Sequence, residues 1–240
     1  MGCSVSSSPA VRLVAALAVV LSMGSPARAE GQSIGLSGFD YASTGYYAFV
    51  GWLKPLEGKF DTHNWVLRLW LDRLVYEVDD GSKTVRANTW GGAVGLTRFF
   101  PVGTARVGLG AGFEARERQY SRPTTLHDDG FRLRPRLELN YNQPLGGPVR
   151  LNVIGSTLIP HFDSYGRAQL LYKTNVLDTE IGLSTSGVAG RDYSSWRAGI
   201  AFDSMRISET LRLAGGAGFQ RREGKTEAYG VITLVVLFGF

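Results

Sequence analysis

One cysteine, three histidines and the want of any long apolar run in the mature part are what this 240-residue sequence has least of. A lone Cys3 excludes a disulfide framework, and His63, His127 and His161 are too few and too scattered for a metal site of Cys/His spacing. A spanning helix needs roughly 18 or more apolar residues in a row, and with 20% charged residues the chain is not a multi-span helical membrane protein. The formal net charge of +5 is too small to imply a nucleic-acid partner. Glycine is abundant, with 31 residues against a usual share of roughly 7%. It follows no triplet period, and Leu, Val and Phe are plentiful, so neither collagen nor disorder explains it.

The start of the chain reads as an export signal. Arg12 precedes the apolar stretch Leu13 to Leu21, which ends at Gly24-Ser25-Pro26 before Ala27-Arg28-Ala29. A positive start, a short apolar core and an Ala-x-Ala terminus predict a signal peptide over 1–29 and a mature domain over 30–240. Cys3 lies before the apolar core and so is not placed for lipid attachment. Cleavage after Ala29 leaves no cysteine and 24 basic against 21 acidic residues.

Beyond residue 30 the dominant pattern has period two. In Phe131 to Asn142 the odd positions are Phe, Leu, Pro, Leu, Leu, Tyr and the even ones Arg, Arg, Arg, Glu, Asn, Asn. The split recurs at Val107, Leu109, Ala111, Phe113 against Arg106, Gly108, Gly110, Gly112, Glu114, and again at Trp196 to Asp203 and Leu211 to Gln220. A soluble sandwich also alternates, but its outer face carries Lys, Glu, Thr and Ser to meet bulk water. Here the polar face mixes glycine with Arg and Glu, as a crowded interior of paired charges requires. That arrangement is the inverse one: apolar residues toward lipid, polar residues toward a lumen. Lipid cannot satisfy an open sheet edge, so the sheet must close.

Twelve strands are expected, near 33–40, 44–55, 65–78, 85–100, 105–120, 131–143, 149–159, 166–174, 178–187, 193–206, 210–222 and 227–240, with ten or fourteen as the alternative counts. The fold class is therefore all-β: a closed antiparallel up-and-down transmembrane barrel after the signal peptide. An even count returns the C-terminus to the periplasmic side with the N-terminus, making Pro101-Val102-Gly103-Thr104, Pro144 to Gly147 and Ser208 to Thr210 short inner turns. Ser121 to Gly130, Pro160 to Tyr165 and Gly187 to Ser195 then become outer loops, while Glu57 to Asn64 is a longer inner one. In the last strand Ile232, Leu234, Val236, Phe238 and Phe240 share a face, so Phe238 and Phe240 are the expected C-terminal insertion signal for the barrel-assembly machinery. Val231, Val235 and Leu237 fall on the lumen face, where they imply a packed side. Outer-membrane lipids are the expected surroundings.

The inward face carries Arg106, Arg116, Arg118, Arg132, Arg134, Arg136, Arg150, Arg167, Arg197 and Arg212, with Glu114, Glu138, Glu180 and Asp203 of opposite sign. Aligned across strands, they form a charge ladder that braces the lumen; left open, they would line a path for small polar or anionic solutes. Twelve strands lie between the filled eight and the open sixteen, so the count alone does not choose. Catalysis has one candidate constellation, His161 with Asp163 and Ser164, and adjacent loop residues rarely aim at one another. His127-Asp128-Asp129 could bind a divalent cation bridging lipopolysaccharide phosphates, but a solvated loop tip explains it better. No catalytic, metal or cofactor residues are assigned.

A set of short motifs adds a resemblance. Tyr46-Tyr47-Ala48-Phe49-Val50-Gly51, Leu56-Glu57-Gly58, Trp65 to Trp70 and Tyr76-Glu77 occur in this order, followed by Phe162 to Arg167, Gly190-Arg191-Asp192-Tyr193, Trp196 to Gly199 and Ala228-Tyr229-Gly230. Together they resemble the cellulose biosynthesis protein BcsS family across nearly the whole mature chain, with Asp178-Thr179-Glu180 standing where that family would have Gly-Pro-Glu. The resemblance implies an exported accessory or structural protein of bacterial cellulose production, partnered by components of the cellulose synthase complex or by the glucan, and no catalytic residues. The other readings are a passive pore and an outer-membrane enzyme acting on lipid or glycan.

Overall fold

The computed structural model describes residues 32–239 apart from 58–59, 61–62, 80, 82, 124–129, 161, 192 and 223. The predicted signal peptide, His127, His161 and Phe240 lie outside the described residues. Twelve strands run in chain order: β1 Ser33–Ala42, β2 Gly45–Pro55, β3 Trp65–Asp79, β4 Thr84–Val102, β5 Ala105–Tyr120, β6 Gly130–Gly146, β7 Val149–Leu158, β8 Asp163–Lys173, β9 Glu180–Ala189, β10 Ser194–Arg206, β11 Leu211–Arg222 and β12 Lys225–Phe238. Each pairs antiparallel with its sequence neighbours, and β1 pairs with β12, so the sheet closes and no edge is left.

The expected count, parity and face assignment hold, and the differences are at strand ends. Pro101 and Val102 pair with Arg106 and Ala105 inside the β4–β5 ladder, which reduces that turn to Gly103-Thr104. Pro144 and Gly146 remain in β6, where a register shift absorbs the proline without breaking the strand. Asp163, expected in a loop, opens β8. Leu177 and Asp178 have φ of 51° and 52°, so the expected start of β9 at residue 178 moves to Glu180. The connections at the end bearing the termini include 56–64 and 174–179, no shorter than most at the distal end.

The outward face is apolar. Leu133, Leu183, Ile200 and Phe219 are each more than 60% exposed, and Leu183 pairs directly with Ile200. A belt of exposed aliphatic and aromatic side chains around a whole wall is untenable in water and natural against lipid. Aromatic residues gather toward its two rims. Tyr172 pairs with Ile181 and Ile181 with Phe202 near the terminal end; Trp90 pairs with Arg73 near the distal one, where the guanidinium lies 5.0 Å from the indole. Such girdles mark the interfaces of a membrane barrel.

Candidate functional site

The candidate site is the lumen, and what fills it follows from register. Glu114 pairs with Arg134, Gly112 with Arg136 and Gly110 with Glu138, so the inward positions of β5 and β6 interleave charge with glycine. Their side chains join residues of β3 into one chain of alternating sign. Arg116 contacts Asp72 at 3.2 Å and Glu114 at 2.8 Å; Arg136 binds Glu114 and lies 2.7 Å from Glu138; Arg68 closes the series at 2.7 Å from Glu138. Each carboxylate here serves two guanidiniums or is itself held deep in the wall, Glu114 and Asp72 being buried. One missing side-chain carbon makes room for this: a Cβ at Gly91 would lie 2.6 Å from the Asp72 Oδ1 and 3.0 Å from the Arg116 Cζ.

Three further pairings continue around the wall. Arg134 binds Asp163 from β8, Arg150 binds Glu180 and lies 3.1 Å from Asp203, and Arg197 binds Asp40 across three interstrand steps. Of the lumen charges expected from sequence, Glu114, Arg116, Arg136 and Glu138 thus meet in one network, and Arg150, Glu180 and Asp203 in a second. Arg134 and Arg197 find acids the sequence reading had not included. Arg106 stacks on Phe99 at 4.2 Å. Arg132 holds a lumen position beside Arg116, while Arg167 and Arg212 face inward beside Ser186 and Val235.

The sequence does not mark Arg68, Asp72, Asp40, Asp163 and Glu227 as lumen charges. In β3 the inward row is Val66, Arg68, Trp70, Asp72, Leu74, Tyr76 and Val78, half apolar, so the alternation that flags a lumen face is blurred. The signal was the recurrence of a charge at Arg68 and Asp72 on alternate positions. Apolar lumen packing is also real on this side: Phe49 stacks on Trp70 at 4.6 Å, Arg68 covers the Trp70 ring at 4.7 Å, and Val235 and Leu237 pair with Leu36 and Ile34.

The distal mouth is bridged. Tyr76 on β3 and Tyr193, just before β10, stand five interstrand steps apart around the wall, yet their rings meet at 5.0 Å. With strands about 4.8 Å apart, wall positions so separated lie nearly a barrel diameter from each other, so the two rings reach toward each other across the opening. Arg222 locks it. This buried guanidinium donates to Tyr193 Oη at 3.0 Å, to Thr44 Oγ1 at 2.8 Å and to the Glu77 carbonyl at 3.1 Å, with Tyr76 and Tyr193 ring centroids 5.5 and 4.9 Å away. Glu227 holds Thr44 in place by accepting its backbone N–H at 2.9 Å, and Gln220 donates to the same carboxylate at 3.0 Å. Tyr76 shares a small apolar core with Val78, Val85 and Ala87.

Of the His161, Asp163, Ser164 constellation, the two described residues point to opposite faces of β8. Asp163 faces the lumen and holds Arg134, whereas Ser164, the next residue of the strand, faces the other way and donates to Thr157 and to the Phe162 carbonyl.

A closed twelve-stranded barrel with an apolar outer belt and a charged lumen is an outer-membrane-type barrel. Solved structures share its fold. An outer membrane channel from Pseudomonas putida F1 is similar with a TM-score of 0.57 at 13% identity, over 87% of this chain and 96% of that one. The translocator domain of the autotransporter NalP from Neisseria meningitidis gives 0.54 at 13% identity, over 94% and 97%. The KdgM porin, solved in complex with disordered oligogalacturonate, gives 0.52 at 8% identity, over 85% and 99%. A search of curated proteins found no match. The sequence matches the family described as cellulose biosynthesis protein BcsS over residues 34–238, and the chain belongs to that family.

Proposed function

We propose that this chain is a non-catalytic outer-membrane barrel that serves bacterial cellulose biosynthesis or export as a structural or accessory element, its lumen braced by ion pairs and its distal mouth held shut. The observation that carries the reading is the Tyr76–Arg222–Tyr193 bridge, which joins opposite walls over the opening. Membership of the family supplies the link to cellulose. The signal at 1–29 would export the chain, the outer belt would meet lipid, and the terminal strand with Phe238 and Phe240 would present the signal read by the barrel-assembly machinery. Partners within the cellulose synthase complex, or the glucan itself, complete the proposal.

An arginine-lined lumen favours a second reading, a passive pore for polar or anionic solutes, in keeping with the channel and porin among the structural neighbours. Planar bilayers separate the two. A shut mouth predicts wild-type protein without steady unit conductance and Arg222→Ala with discrete openings; stable conductance from the wild type would establish the pore. Deleting the gene should lower cellulose output or its secretion, and unchanged output would overturn the accessory role.

A further inference from the structure

An arginine interrupts the apolar outer wall. The outward positions of β3 run Trp65, Leu67, Leu69, Leu71, Arg73 and Val75, so Arg73 stands in a row that otherwise meets lipid. It pairs with Trp90 on β4. Eight residues nearer the terminal end the same two strands carry the mirror pair, Trp65 facing Arg98, with the guanidinium 5.6 Å from the indole. Between the two pairs the outward residues of both strands are leucine, valine and glycine. Eight residues cover about 26 Å along a strand, and a tilt of roughly 40° reduces that to about 20 Å along the membrane normal. The apolar band of such barrels is about 25 Å tall, so the two arginines bracket it, Arg73 at the distal headgroup layer and Arg98 at the other.

The Arg73 side chain is held in one orientation. Its Nε donates to Asn88 Oδ1 at 3.2 Å, and its Cζ lies 5.0 Å from the Trp90 ring centroid and 5.9 Å from that of Tyr46. Tyr46 and Asn88 are the two cross-strand partners of Val75, one row nearer the distal mouth. The guanidinium therefore reaches distally across Val75, and this valine, although on the outward face, is only 3% exposed. Such a reach carries the charge out of the apolar band toward the headgroups. Both Nη groups are left without a protein partner among the described residues. Two acids share this face and neither bonds Arg73: Glu117 lies beyond Trp90 on β5 and accepts from Gln119 at 3.2 Å, and Glu77 pairs with Arg86 two rows distal to Arg73.

A planar guanidinium with both Nη groups open matches a phosphate, which it grips through two parallel hydrogen bonds. At the edge of an apolar band the phosphates within reach are those of lipid headgroups. Arg86, exposed and on the same face of β4, adds a second cation further from the band. Two cations stacked in this way suit a headgroup that carries two phosphates on sugar better than one with a single phosphate beside its acyl chains. We infer that Arg73, clamped by Tyr46, Trp90 and Asn88, forms with Arg86 an outer-wall site for a doubly phosphorylated glycolipid of the distal leaflet. The phosphates lie on the two guanidiniums and the acyl chains along the apolar β3–β4 wall. The site goes beyond the role in cellulose and rests only on the placement of the barrel in the outer membrane.

Native mass spectrometry of the full mature chain released from detergent micelles tests it, with diphosphoryl lipid A, the same lipid A stripped of its phosphates, and phosphatidylglycerol as probes. The wild type should retain one diphosphoryl lipid A, at least fivefold more than either other probe. Arg73→Gln should lower that retention at least fivefold and Arg86→Gln at least twofold, whereas Arg98→Gln, at the opposite rim, should leave it unchanged. Heat-modifiable gel mobility verifies folding; if Arg73→Gln does not fold, Asn88→Leu, which releases the guanidinium from its fixed orientation, must lower retention at least twofold. No retention by the wild type, equal retention of either other probe, unchanged retention in folded Arg73→Gln, or an equal loss in Arg98→Gln overturns the site. Insertion of the wild type into phosphatidylcholine vesicles, scored by protease protection, is measured alongside. Protein that inserts but retains no lipid A loses the site and keeps the membrane placement; protein that does not insert loses both.

Discussion

Replacing Glu114 by glutamine removes one charge from the middle of the lumen network while keeping its shape. Glu114 accepts from Arg116 Nε at 2.8 Å and from Arg136 Nη1, and its side chain is only 5% exposed. Charge-assisted hydrogen bonds contribute roughly 1.5–3 kcal/mol each and neutral ones about 1 kcal/mol. Glutamine keeps a single acceptor and turns an NH₂ toward one guanidinium, leaving two cations facing each other. Breaking a fully buried pair costs roughly 3–5 kcal/mol. The Arg116 and Arg136 side chains remain 23% and 16% exposed, and water in the lumen lowers the expected loss to about 3 kcal/mol. The assay is urea unfolding of the protein folded into lipid vesicles, followed by tryptophan fluorescence and gel mobility. Arg136→Met on top of Glu114→Gln should cost less than the sum of the two single changes by about 1–3 kcal/mol, because each single change strands the other's partner. As a control, Glu209→Gln on the exposed 207–210 turn should stay within about 0.5 kcal/mol. A Glu114→Gln loss no larger than that control would refute the idea that the ion chain braces the lumen.

Other positions extend the test. A Cβ at Gly112 would lie 2.1 Å from the Val94 carbonyl oxygen, while at Gly166 it would meet nothing within 4 Å; Gly112→Ala should cost about 2 kcal/mol or more and Gly166→Ala less than about 0.5 kcal/mol by the same unfolding assay. Leu183→Lys on the lipid face should destabilise by about 2–4 kcal/mol, whereas Ser184→Lys, its lumen-facing neighbour, should cost about 1 kcal/mol or less; equal losses would invert the assignment of faces. Phe238→Ala should slow assembly in a reconstituted insertion assay with the assembly machinery while leaving the unfolding midpoint of the folded protein nearly unchanged, and an unaltered rate would remove the terminal strand as the signal.

Much of the architecture was legible because membrane barrels impose period two on every strand. Phe131 to Asn142 and Val107 to Arg116 state their faces residue by residue, and register errors there would turn arginine toward lipid. Boundaries were less legible where local chemistry and sheet closure disagreed. Pro144 reads as a turn residue, yet closure carried β6 two residues past it through a bulge. Glycines on the polar face leave room beside inward arginines and let strands bend around a closed wall, and Gly91 serves the first purpose. At Gly112, Gly182, Gly199 and Gly218 an added Cβ would strike a neighbouring strand's carbonyl oxygen at 1.8–2.2 Å. Those glycines serve the tight curvature of the wall more than the space for charge.

Alone, the sequence determined which residues face lipid and which face the lumen, how many strands there are, and so the closed barrel, since alternation and the need to satisfy every backbone group in lipid leave no other solution. Only the tertiary structure decided which charges meet. Arg197 and Asp40 are far apart in the chain, and so are Tyr76, Tyr193 and Arg222; nothing local couples them. Closure of the ring brings β10 within reach of β1 and Tyr76, Tyr193 and Arg222 within reach of one another. Partner choice in the lumen is thus a property of barrel circumference and register, which no single strand encodes.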